Sequence, residues 1–116
     1  MNMSKEIWKP ISNNLYYMGV NQNYEVSNYG RIRNAKTNKI INPFLTENGK
    51  KLRWTMHDSQ YGYDATLQFL VDHTVYETFI GDCYGKIVKH KDGDNFNNLV
   101  DNLYLKHYEE DYQLWY

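Results

Sequence analysis

A chain of 116 residues is long enough for one small domain, or two very small modules packed together, and excludes a second large one. Apolar residues make up 41% of it, with 12 Tyr and 3 Trp, enough to build a core and to exclude a disordered tail. Lys and Arg number 13 against 14 Asp and Glu, for a net charge of −1, an unusual total for a chain that grips nucleic acid.

The distribution of charge says more than its sum. Residues 31–53 hold Arg31, Arg33, Lys36, Lys39, Lys50, Lys51 and Arg53 against Glu47 alone, whereas residues 109–116 hold Glu109, Glu110 and Asp111 with no Lys or Arg. No apolar run reaches the roughly 18 residues that cross a bilayer, and residues 1–6 lack a basic start followed by an apolar stretch. A soluble, cytoplasmic protein is expected. The single Cys83 excludes an intramolecular disulfide and, without a Cys-x-x-Cys pair, a thiolate zinc site. It reads as an inert, small apolar residue.

In chain order, residues 6–11 form an extended entry segment around Trp8, Pro10 and Ile11, and the Asn-rich residues 12–22 a loop. Residues 23–27 predict a short strand, Asn28-Tyr29-Gly30 a turn with Gly30 at positive φ, and residues 31–33 a second strand with Ile32 opposite its two arginines. Residues 39–45 and 51–56 are further strands, separated by the turn Glu47-Asn48-Gly49. The front half is therefore read as one small antiparallel sheet with a basic face.

After a loop at residues 58–63, Leu67, Leu70, Val71, Val75 and Phe79 recur at three- and four-residue spacing. This periodicity predicts a helix over residues 66–80, capped by Asp64 or Thr66 and stopped at Gly81. Residues 86–90 and 102–105 are short strands flanking a polar loop that contains Asp92-Gly93-Asp94, and residues 107–116 are helix-compatible. The expected fold class is α+β: a small antiparallel sheet, a helix, then strand, loop, strand and short helix in the order of a ββα finger. The provisional division is 1–57 for the β-rich module and 58–116 for the helix and finger, packed as one compact unit.

The segment Ile87-Val88-Lys89-His90-Lys91-Asp92-Gly93-Asp94, followed by Asn97-Asn98 and Asn102-Leu103, resembles the motif of HNH endonucleases of the phage and homing type. Upstream, Glu6-Ile7-Trp8-Lys9-Pro10-Ile11 and Tyr24-Glu25-Val26-Ser27-Asn28-Tyr29-Gly30-Arg31-Ile32-Arg33 resemble the module that such enzymes carry ahead of their nuclease finger. Between them, Val75-Tyr76-Glu77-Thr78-Phe79-Ile80 looks like the helix that precedes the finger.

The resemblance implies a ββα-metal fold in which His90 is the general base that activates water against a phosphodiester. Mg²⁺ or another divalent ion would be held by a residue beside that His and one on the following helix. By spacing the helical ligand falls at Asp111, while the position before His90 is Lys89, leaving Asp92 as the substitute. A His-Arg pair that often begins the preceding helix is Asp72-His73 here. Gly93, Asn98 and Asn102 are expected to structure the loop. His57, His73 and His107 have no such context and are read as surface or packing residues.

Arg31, Arg33, Lys36, Lys50, Lys51 and Arg53 are the expected contacts to duplex DNA. Two functions follow: a phage-type HNH nuclease-like protein that binds duplex DNA and nicks it with a metal, or a catalytically inactive HNH-derived protein that engages or inhibits a host nuclease or defence complex. In the second, Glu109, Glu110 and Asp111 would meet a host or phage protein. Neither involves a membrane.

Overall fold

The computed structural model describes residues 5–11, 23–58 and 65–106. Their order is β1 (Trp8–Pro10), β2 (Tyr24–Ser27), β3 (Ile32–Asn34), β4 (Ile40–Ile41), β5 (Phe44–Leu45), β6 (Leu52–Asp58), β7 (Ala65–Leu70), α1 (Val71–Phe79), β8 (Val88–His90) and β9 (Leu103–Leu105), with a 3₁₀ turn at Val100–Asn102. All strand pairs are antiparallel: β1-β2-β3-β4 form one sheet, β5-β6-β7 a second, and β8-β9 a hairpin. The chain is thus α+β, with small antiparallel sheets and, among the described residues, one α-helix. None of it is a helix long and apolar enough to cross a membrane.

Two expectations need correction. The front half holds two sheets, because the strand predicted over residues 39–45 breaks at Asn42-Pro43 and sends β4 to one sheet and β5 to the other. Proline has no N–H to give a continuing ladder. The helix predicted from residue 66 begins instead at Val71, and Ala65–Leu70 pairs with β6 along its whole length. Over that stretch the period is two: Leu67 and Phe69 pack against the core while Thr66 and Gln68 are exposed.

The predicted caps change with it. Thr66 lies in β7, Asp64 lies outside the described residues, and the residue at the helix start is Leu70, with no side-chain cap. The turn is held from within, since the Thr74 hydroxyl donates to the Leu70 carbonyl at 2.9 Å and accepts from the Trp54 indole N–H at 2.8 Å. At the far end Gly81 donates to the Tyr76 carbonyl at 3.0 Å, closing the helix as the sequence implied.

One core collects residues from every layer. Val26, Trp54, Met56, Val75, Val88 and Leu103 are buried in it, and Trp54 tilts against Tyr24 and Phe69 at ring-centroid distances of 5.4 and 5.6 Å. Cys83 joins this core. Its thiol is pushed up to about 12 by burial first and by the neighbouring Glu77 carboxylate second, so it stays protonated and unreactive at neutral pH.

Two contacts fix the β8–β9 hairpin. Gly30, at φ +87°, turns β2 into β3 directly beneath Asn98: a Cβ there would lie 2.7 Å from the Asn98 Cβ and 2.8 Å from its carbonyl oxygen. The Asn28 carbonyl beside it accepts from the Val100 N–H at 3.0 Å. Within the hairpin, Asp92 Oδ1 accepts from the Asp94 N–H and Asn102 Nδ2, and Oδ2 from Asn97 Nδ2. Asn102 Oδ1 in turn accepts from the Asp92 N–H.

Gly30→Ala is expected to cost about 2–4 kcal/mol, from a left-handed alanine plus the collision with Asn98, read as a lower urea midpoint at unchanged slope. The loop bonds, those from Asn97 first, hold the Asp92 carboxyl below the usual carboxylate range. Its folded pKa being depressed, the loop's contribution is complete above the unfolded aspartate value and is lost as pH falls through the lower folded one. The Asp92 carboxyl, followed through the Asp94 amide shift, should therefore titrate below the unfolded-aspartate value, and a midpoint at or above that value would show that Asn97 and Asn102 do not hold the carboxylate.

Candidate functional site

His90 closes β8, whose alternation buries Val88 and His90 and turns Lys89 to the other side. The His90 side chain is 1% exposed. Its Nε2 lies 2.8 Å from Asn98 Oδ1, an atom that can only accept, so Nε2 carries the proton. The lone pair of the neutral ring is then on Nδ1, which is buried and has no hydrogen-bond partner among the described residues. The imidazole is thus held in one tautomer with its basic nitrogen uncommitted and closed to solvent, so a proton donor would reach it only if the surrounding side chains parted.

A second charge layer lies behind the ring. Asp72, in the first turn of α1 where the helix dipole favours a carboxylate, is 2% exposed. Its Oδ2 is 3.9 Å from His90 Nε2 and forms an ion pair with Lys51 Nζ at 2.8 Å, while neither carboxylate oxygen accepts an aligned hydrogen bond from the described residues. The Lys51 ammonium also donates to the Val88 carbonyl at 3.1 Å. Lys51, Asp72, His90 and Asn98 thus join the residue ahead of β6, α1, β8 and the hairpin loop at one point. At the next residue of α1, burial lowers the pKa of His73; Asp72 and Glu77 pull it up and Lys51 pulls it down.

The other sequence candidates fall in different places. Arg31 forms a two-point ion pair with Glu6, and Arg33 pairs with Glu25 at 2.9 Å. Both guanidinium groups stack on Trp8, at 5.4 and 4.0 Å from the ring centroid. Lys36 and Lys50 are exposed, in the turn after β3 and the turn before β6. Arg53 is half-buried and lines a cleft with Phe44, Leu45, Asn48 and Gln68. Gly93, at φ +77°, turns the loop and donates to the His90 carbonyl at 3.0 Å. Asn98 serves His90, and Asn102 bonds to Asp92 and to the Asn97 carbonyl.

Glu109, Glu110 and Asp111 lie outside the described residues. Sequence reasoning placed Lys51 among the DNA contacts and did not assign Asp72 a place beside His90. The available signal was the exchange of a basic for an acidic residue at position 72, which calls for a cation elsewhere.

The described residues do not fit a divalent ion. No group of three or more His, Cys, Asp or Glu among them is set to hold one. Asp72 already faces an ammonium, Asp92 is engaged on both oxygens by the loop, and a protonated Lys89 has no lone pair to give.

A family model of the NUMOD4 motif matches residues 6–55. No curated protein matches the chain. Among solved structures, one described as "DNA binding and cleavage by the HNH homing endonuclease I-HmuI" is 27% identical, with a TM-score of 0.70, over 93% of this chain and 56% of that one. The chain therefore spans little more than half the length of that enzyme. Motif and structure together show a relationship of the HNH homing-endonuclease kind.

Proposed function

We propose that this protein binds duplex DNA in the manner of an HNH homing endonuclease, with β8, its loop and β9 as the strands of a ββα finger and His90 in the position of the general base. The observation that carries this reading is the β8–β9 hairpin, packed on α1 and the front sheet, with buried His90 held against Asn98 at its loop. It is supported by the likeness to I-HmuI, described as binding and cleaving DNA.

In this reading the resemblance implies Mg²⁺ at the finger, with Asp111 on the helix and a partner beside His90. The second of these is missing, because position 89 is lysine and Asp92 is spent on the loop. The function we assign is accordingly DNA binding by a nuclease-like fold, without cleavage. The alternative, a catalytically inactive HNH-derived protein that engages or inhibits a host nuclease or defence complex, rests on Glu109, Glu110 and Asp111, which lie outside the described residues.

The phosphate contacts are assigned to the exposed cations of the front sheets. Arg31 and Arg33 are neutralised by Glu6 and Glu25 and hold β1 onto β2 and β3, so Lys36, Lys39 and Lys50 carry the electrostatic share. Each phosphate contact removed should reduce the slope of log affinity against log salt by about 0.9. The Lys36→Ala/Lys39→Ala/Lys50→Ala variant is expected to show a slope shallower by roughly two to three. If the intact protein binds no duplex DNA at low salt, the reading fails.

Cleavage is tested on supercoiled plasmid. The intact protein is expected to leave it uncut in Mg²⁺ or Mn²⁺, whereas Lys89→Asp, which restores the carboxylate that the resemblance implies at the position preceding His90 in sequence, is expected to nick it. Adding His90→Ala to that variant should abolish the nicking. Nicking by the intact protein would refute the non-cleaving assignment.

A further inference from the structure

We propose that the Lys51 ammonium is a built-in cation of the His90 centre, neutralising Asp72 and making the assembly of the β8–β9 hairpin on α1 independent of divalent metal. The position it fills is of a kind that a cation occupies: a carboxylate oxygen at 2.8 Å and a backbone carbonyl oxygen at 3.1 Å converge on Nζ, and His90 Nε2 lies 3.9 Å from that same carboxylate oxygen. Two converging oxygen donors suit a hard cation, and the His90 Nε2–H beside them adds no lone pair. Here a side chain tethered 37 residues away in sequence from Val88 delivers the charge instead.

Burial separates this pair from an ordinary surface salt bridge. The Asp72 side chain is 3% exposed and that of Lys51 24%, so the carboxylate has lost its water and depends on the ammonium for compensation. The charged groups around the cluster do not replace Lys51. Glu77 adds negative charge from the same helix, its Oε1 accepting from the Cys83 N–H at 2.7 Å, and Asn98 is neutral. Nor does the pair hold two parts of one element together: it ties the residue ahead of β6 to α1 and, through Val88, to β8. The same ammonium that balances Asp72 therefore docks the hairpin. This inference stands independently of DNA binding, since neither Lys51 nor Asp72 need touch DNA for it to hold.

The test is thermal unfolding of the full chain in EDTA and in millimolar MgCl₂ or MnCl₂, with Lys51→Met and Lys51→Met/Asp72→Asn compared. The intact protein is expected to melt within about 1 °C under all three conditions, well inside the several degrees that correspond to 1 kcal/mol in a domain of this size. Lys51→Met, which leaves the carboxylate bare, should melt roughly 5–10 °C lower. The double variant, with no buried charge at either position, should recover most of that loss.

A higher melting temperature of the intact protein in Mn²⁺ that disappears in His90→Ala would overturn the proposal, because it would place a divalent ion at the centre. So would a Lys51→Met protein that melts like the parent, or a double variant no more stable than the single one, which would reduce Lys51 to packing. Should Lys51→Met fail to fold, the double variant alone decides: folding near the parental melting temperature supports the compensating charge, and failure to fold overturns it.

Discussion

The close approach of Gly30 to Asn98 is the constraint through which the two ends of the chain become one site. A backbone turn without a Cβ lets the hairpin loop settle onto the β2–β3 connection, where the Asn28 carbonyl receives the Val100 N–H. Asn98, pinned from that side, presents Oδ1 to His90 on the other. The tautomer of the candidate base is thus set by a glycine about sixty residues earlier in the sequence. Asn28 extends the connection outward: its amide accepts from the Ile7 N–H and donates to the Lys5 carbonyl, drawing the entry segment beside β2.

Charge is distributed by a similar logic of internal use. A net charge of −1 is poorly suited to long-range attraction of DNA, and the structure shows where three of the 13 cations go. Arg31 and Arg33 face Glu6 and Glu25 across the Trp8 ring, clamping β1 on the sheet, and Lys51 faces Asp72. Exposed pairs of this kind add at most about 1 kcal/mol each, whereas the buried one carries a larger penalty if broken. A cation counted from sequence as available to phosphate can therefore be structural, and only its burial and partners tell the two apart.

Much of the fold was legible in local signals. The turn at Asn28-Tyr29-Gly30, the strand pair around Ile32, the hairpin flanking Asp92-Gly93 and the helix stop at Gly81 all follow from short-range backbone chemistry, and each is present. The start of α1 was not legible, because Leu67, Val71 and Val75 satisfy a helical period while Leu67 and Phe69 equally satisfy a strand period. Pairing with β6 over six residues decides for the strand, and no window of local sequence contains that partner. The site divides in the same way: His90 and Asn98 announce themselves by motif, but the Lys51–Asp72 contact joins positions 21 apart in sequence whose meeting depends on β6, β7 and α1 folding together.

Asp72 and Lys89, the two positions at which the sequence departs from the motif it resembles, lie on different elements around His90. Asp72 enters on the Nε2 side, where Lys51 meets it, whereas Lys89 lies on the outward side of β8, which the alternation of the strand turns away from His90. Neither change touches the Asn98 bond or the Asp92–Asn97–Asn102 network, which depend on amide chemistry and on Gly93. The shape of the hairpin does not depend on the residue at position 89, because the loop is held by asparagines and His90 by the Asn98 amide. The residues that hold the shape and those to which the resemblance assigns metal chemistry are different, which is why a motif that reports the first says little about the second.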